Sequence, residues 1–195
     1  MTFNLPNIIS LFRVLISPVI FVLLISQNNN SIIIGAILFF IGAFSDFLDG
    51  WIARKMNLTS SWGRFFDPLA DKFLTLAVFI VLVYLKVANI WMVAIILLRD
   101  IFTTYMRVVG DRMKAPIKTS KTAKVKTLIQ MLYLSVILLI MIYDAKNQSN
   151  ILLSLTQDNI PNIFLFFIVL LTVWSTVEYI MDNKALFQRN QVGKK

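Results

Sequence analysis

Six apolar stretches, each close to the length of a bilayer span, divide this 195-residue chain. They fall at roughly 8–26, 31–53, 68–85, 88–109, 125–143 and 160–180. A spanning helix needs about 20 mostly apolar residues. Inside hydrocarbon the backbone must satisfy its own polar groups, which a helix does within a single segment. The pattern therefore predicts an all-α fold, a polytopic bundle of six transmembrane helices forming a single domain over residues 1–195. Hydrophobic residues make up 58% of the chain and charged residues 15%, against about half and one quarter in a soluble domain. Arg13 and Pro18 fall inside the first stretch, an arrangement that also suits a segment whose early part lies along the interface. The N-terminus lacks a basic leader, and its apolar run exceeds a typical signal-peptide core, so no cleavable signal peptide is expected. No linker or internal repeat is visible. The longest polar stretch, GDRMKAPIKTSKTAK at 110–124, is interrupted by Pro116 and reads as a loop or short helix before the fifth span.

Loop charge orients such a bundle. With six spans, both termini and the second-to-third and fourth-to-fifth connections share one side. Of the 19 Lys and Arg residues, only Lys86 and Lys146 fall on the other. The positive-inside rule makes the basic side cytoplasmic. The net charge of +9 speaks to topology and anionic lipid before nucleic acid. The chain has no cysteine and no histidine. Thiol catalysis and thiolate metal sites are thereby excluded. A metal site would have to use oxygen ligands, which suit hard cations such as Mg²⁺, Mn²⁺ or Ca²⁺. A general base would have to be a carboxylate, Lys or Tyr.

Against this background the segment SDFLDGWIARKMNLTSSWGRFFDPLADK, 45–72, places Asp46, Asp49, Asp67 and Asp71 beside two very apolar runs. Asp46 and Asp49 are three apart on the second helix, Asp67 and Asp71 four apart on the third, so each pair shares a helix face. A short connection between antiparallel neighbours would bring both pairs to one level at the cytoplasmic side. Four carboxylates together repel, and divalent cations relieve that repulsion. Taken singly, each aspartate also fits a helix cap, as Asp67 before Pro68 would, or a juxtamembrane salt bridge to Arg54 or Arg64.

The full spacing, Asp46-x-x-Asp49-Gly50-x-x-Ala53-Arg54, eight residues, Gly63-x-x-x-Asp67-x-x-x-Asp71, resembles the complete signature of the CDP-alcohol phosphotransferase family. Members displace CMP from a CDP-linked lipid or alcohol. The resemblance implies two divalent cations, Mg²⁺ or Mn²⁺. Asp46, Asp49 and Asp67 would hold one, and Asp46, Asp67 and Asp71 the other, with Asp71 also the catalytic base. It further implies CDP binding by Asp46, Gly50, Ala53, Arg54 and Gly63, with Ser45 as an adjoining candidate. Gly50 permits close backbone approach, and Arg54 can fork onto phosphate. A homodimer in a bacterial plasma membrane, with its polar active-site cavity facing the cytoplasm, is likewise implied.

The flanks are similar to the phosphatidylglycerophosphate synthase branch of that family. The resemblance rests on NLPNIISLFRVLISP, FFDPLADK and TSKTAKVKTLIQ, where Ala123 replaces a frequent glycine. The expected substrates are then CDP-diacylglycerol and sn-glycerol 3-phosphate. An anionic acceptor calls for further cations. Arg99, Arg107, Lys124 and Lys126, with the hydroxyl of Thr127, are the candidates, and Asp100 would orient Arg99. Two alternatives stay open: another acceptor, such as phosphatidylglycerol, serine or inositol phosphate, and a divalent-cation transporter with carboxylates along a path. The clustering of all four aspartates at one interface disfavours transport.

Overall fold

The computed structural model describes residues 5–26, 28–56, 63–112 and 121–183, the side chains of 5–7, 46–56, 63–69, 71, 111–112 and 121 excepted. Among the described residues every regular element is helical. The order is α1 (Leu5–Ile25), α2 (Asn29–Met56), α3 (Gly63–Tyr84), α4 (Ile90–Arg112), α5 (Lys121–Asn147), α6 (Ile151–Gln157) and α7 (Ile160–Asp182). Six of these overlap the six apolar stretches. The six-helix expectation misses α6, seven residues long and hence about 10 Å, too short to cross a bilayer. Its origin is local: the Asp144 carboxylate, at the end of α5, accepts hydrogen bonds from Ser149 Oγ at 2.6 Å and from the backbone N–H groups of Ile151 and Leu152 at 3.1 and 2.8 Å. Those N–H groups open the first turn of α6 and have no intrahelical acceptor. A carboxylate reaching back from α5 caps α6 and reverses the chain.

Three helical segments are long and apolar enough to cross a membrane, at Ile8–Ile25, Thr122–Asn147 and Ile160–Asp182. Shorter apolar helical stretches cover Asn29–Ser45 in α2 and Lys72–Tyr84 in α3. The aspartate pairs occupy the remaining ends of those two helices. In α4 the apolar run carries Arg99 and Asp100. This is a polytopic membrane protein whose surface agrees with that solvent. Leu15, Val22, Phe44, Leu98, Ile101, Leu128, Phe164 and Trp174 all face outward, as residues packed against lipid must.

The core runs between α1, α2, α3, α5 and α7, through Ile16, Ile20 and Leu24, then Phe39, Leu74, Val78, Leu82, Leu134, Leu138, Leu165 and Ile168. Without a hydrophobic drive between helices in lipid, small residues that allow close approach decide where they meet. Two buried glycines in α2 do this. A Cβ at Gly35 would lie 3.1 Å from Leu23 Cβ and Leu24 Cγ; one at Gly42 would lie 3.1 Å from Leu74 Cδ1 and 3.2 Å from Ile16 Cδ1. As α2 advances from Gly35 to Gly42, its partner on α1 recedes from Leu24 to Ile16, so the two run antiparallel. α1 continues as one helix through Pro18, and Arg13 is fully buried rather than turned to an interface. Ser17 Oγ donates to the Arg13 carbonyl at 2.7 Å. At the opposite end of the bundle, the backbone N–H of Asn89 donates to Asn162 Oδ1 at 2.9 Å, tying the α3–α4 connection to α7. Replacing Gly35 with valine should destabilise the detergent-solubilised protein by about 1–3 kcal/mol, the usual cost of overpacking, seen as a lower thermal midpoint. An unchanged midpoint would contradict this close packing.

Candidate active site

The contact at Gly42 fixes the level of the aspartates. Leu74 and Ile16 meet α2 there. Asp46 and Asp49 follow Gly42 by four and seven residues, while Asp71 and Asp67 precede Leu74 by three and seven. Both spacings keep a helix face. At 1.5 Å rise per residue, Asp46 and Asp71 lie about 5 Å beyond the contact and Asp49 and Asp67 about 10 Å. Arg13, three residues before Ile16 on α1, comes to the level of the first two. The backbones of α2 and α3 thus carry both pairs to one end of the bundle. The side chains of Asp46, Asp49, Gly50, Ala53, Arg54, Gly63, Asp67 and Asp71 lie outside the described residues, as does the metal geometry expected of the aspartates. Among the described residues no cluster of metal-ligating side chains occurs. Ser45 is described: its hydroxyl donates to the Ile41 carbonyl at 2.7 Å, one turn back on its own helix.

One residue beyond Asp71, the structure becomes explicit. Lys72 Nζ lies 3.2 Å from Oδ2 of Asp100 on α4. The other oxygen, Oδ1, accepts from Lys126 Nζ of α5 at 2.9 Å and from Nη1 of Arg99 at 3.1 Å. Arg99 also donates through Nη2 to Ser175 Oγ of α7 at 3.0 Å. One carboxylate therefore gathers cations from three helices, and Ser175 adds a fourth helix. The Asp100 side chain is 4% exposed, Lys126 0% and Arg99 8%, whereas Lys72 is 28% exposed. Among the described side chains, three positive charges meet one negative in this cluster. Charge buried at this depth is retained only when paired and hydrogen-bonded.

The acceptor candidates divide. Lys126 and Arg99 enter this cluster together, and Asp100 orients Arg99 as expected. Arg107 and Lys124 are exposed at the same end of α4 and α5. The Thr127 hydroxyl donates to the Ala123 carbonyl at 3.1 Å, within its own helix. Sequence reasoning gave Lys72 and Ser175 no role. Lys72 counted only towards loop charge, although its place next to Asp71 was a signal. Ser175 belongs to a buried polar stripe on an otherwise apolar α7, with Thr172 and Tyr179, a spacing readable once the helix is assigned. Glu178 was also missed; it accepts from the Thr122 hydroxyl of α5 and closes the basic end of the α5–α7 pair. The 110–124 stretch resolves into the end of α4 and the start of α5 at Lys121, with 113–120 outside the described residues. Nearer the other end, a cavity of about 400 Å³ lies between Asn29, Leu85, Met141 and Asp144, far along the helices from the aspartates.

These features accord with the family comparison. The CDP-alcohol phosphatidyltransferase family model matches residues 3–174, and the chain belongs to that family. Several relatives align almost end to end. A protein of Rickettsia typhi is 35% identical over 186 residues, 94% of this chain and 99% of its own. One of Bacillus subtilis is 33% identical over 193 residues, 93% and 95% of the two chains, and one of Haemophilus influenzae 30% identical over 190, 94% and 95%. All three are named CDP-diacylglycerol–glycerol-3-phosphate 3-phosphatidyltransferase. Ser175→Ala removes the partner of a buried guanidinium arm and should lower stability by about 1–2 kcal/mol, measured by thermal unfolding in detergent. An unaltered midpoint would show that the Arg99–Ser175 bond is not formed.

Proposed function

We propose that this protein transfers the phosphatidyl group of CDP-diacylglycerol to sn-glycerol 3-phosphate, giving phosphatidylglycerophosphate and CMP. The observation that carries the reading is the complete eight-position signature on α2 and α3, in a chain aligned over nearly its whole length with relatives of that name. The cationic cluster one residue from Asp71 supports a phosphorylated acceptor. Its excess positive charge suits a phosphate dianion, and it has no counterpart in what neutral serine would need.

In the reaction the acceptor's primary hydroxyl oxygen forms a bond to the phosphatidyl phosphorus. The bond from that phosphorus to the bridging oxygen breaks, and CMP leaves with the electron pair. Asp71 takes the hydroxyl proton, the chain having no histidine to do so. Gly50 allows the nucleotide close to the backbone of α2, and Arg54, one turn on, binds its phosphate. Asp46, Asp49, Asp67 and Asp71 would hold two divalent cations, Mg²⁺ or Mn²⁺. An oxygen-only donor set from two facing helices fits such ions. When bound, they would neutralise the pyrophosphate and the departing CMP. Arg107 and Lys124 offer exposed charge to the incoming acceptor, and Lys126 and Arg99 lie behind them. The basic end faces the cytoplasm of a bacterial plasma membrane by the charge asymmetry of the loops, with six crossings. Dimerisation rests on likeness to the family.

With CDP-diacylglycerol, glycerol 3-phosphate and Mg²⁺ or Mn²⁺, the purified protein should release CMP, and EDTA should abolish release; activity that survives EDTA would remove the metals. Asp71→Asn should reduce turnover by about 10²-fold or more while the protein is still inserted and folded. Near-normal turnover would remove Asp71 as the base.

A further inference from the structure

We propose that Asp100 is a positioning residue for the reaction. Its carboxylate holds Lys72, Arg99 and Lys126, cations from three helices, as one anion cradle, and Lys72 is the member that meets the phosphate of the acceptor. The inference rests on the function proposed above and extends it to two residues outside the signature.

The argument starts from exposure. A phosphate arriving from water cannot touch Lys126, which is fully enclosed, without rearranging the bundle; Lys72 in the same cluster is 28% exposed. Lys72 also follows Asp71 directly on α3, so the cluster's open edge lies within about 1.5 Å, one helical rise, of the level of the proposed base. A three-carbon acceptor with phosphate at one end and the reacting hydroxyl at the other needs its cation and base that close together. The salt bridge to Asp100 Oδ2 holds the Lys72 ammonium towards α4. Meanwhile Oδ1 anchors Lys126 and Arg99, and Ser175 fixes the second arm of Arg99. Lys126 and Arg99 thus act through Asp100: they are the counter-charge that holds its carboxylate in place at this depth. Asp100 itself touches no substrate. Without its charge, three like-charged groups would be left to repel one another, and Lys72 would lose its anchor to α4.

The test is steady-state kinetics of the full-length protein in detergent–lipid micelles, with glycerol 3-phosphate and CDP-diacylglycerol varied in turn. Asp100→Asn keeps the side chain's shape and removes its charge. It should raise KM for glycerol 3-phosphate about tenfold or more and leave KM for CDP-diacylglycerol near the wild-type value. Asp100→Glu should recover much of the loss. Lys72→Met should give the same selective rise, and the double variant Asp100→Asn with Lys72→Met should be little worse than either alone, because both remove one device. Equal rises in both KM values, a fall in kcat alone, or additive effects would overturn the inference. Should Asp100→Asn fail to fold, Lys72→Met decides, and an unchanged KM for glycerol 3-phosphate overturns it. Wild-type protein inactive with this acceptor would refute the proposed function itself. Wild-type turnover with an unmoved KM in the variants would refute only the cradle.

Discussion

The cost of placing charge in a low-dielectric bundle governs the polar end of this protein. A lone Asp100 carboxylate or Lys126 ammonium among α3, α4, α5 and α7 would give up its hydration with nothing in return. Each is tolerable because of the others: Lys126, Arg99 and Lys72 surround one carboxylate within 2.9 to 3.2 Å. In exchange, four helices are fixed relative to one another next to the aspartate pairs of α2 and α3. Elsewhere the helices meet through apolar contact and close approach at Gly35 and Gly42. Such contact holds them together without specifying which polar residues face each other.

The same constraint explains the division of labour along the bundle's length. Most of the charge of α1 to α5 lies towards one end, and the middle is occupied by residues such as Phe39, Leu82, Leu134 and Leu165. The opposite end closes with local devices, Asp144 capping α6 and Asn162 holding the α3–α4 connection. A lipid-borne pyrophosphate lies at the depth of the headgroups, and a soluble phosphorylated alcohol arrives from water. The aspartate pairs, the exposed Arg107 and Lys124, and the Asp100 cluster lie towards one end of the bundle.

Much of this was legible in the sequence because strong periodicities carry it. Long apolar runs placed six helices within a few residues, and three- and four-residue spacing put each aspartate pair on one face. Resemblance to a family supplied roles that spacing alone left open. What stayed hidden depends on contacts between distant segments. The helix α6 follows from Asp144 reaching across a turn, and its ILLSL run reads equally well as part of a neighbouring span. Lys72 counted as one more loop cation, because nothing local says that it pairs with a residue 28 positions later. Ser175 is an ordinary small residue until α7 is packed against Arg99. Lys126 looked like an open pocket residue from its position at a helix start, and packing encloses it.

The most direct measurement holds CDP-diacylglycerol fixed and varies the acceptor, following CMP release and the lipid product. Release with sn-glycerol 3-phosphate, and little or none with serine, phosphatidylglycerol or inositol phosphate, is the expected result. Preferred turnover with any of those three would contradict the assignment of the acceptor.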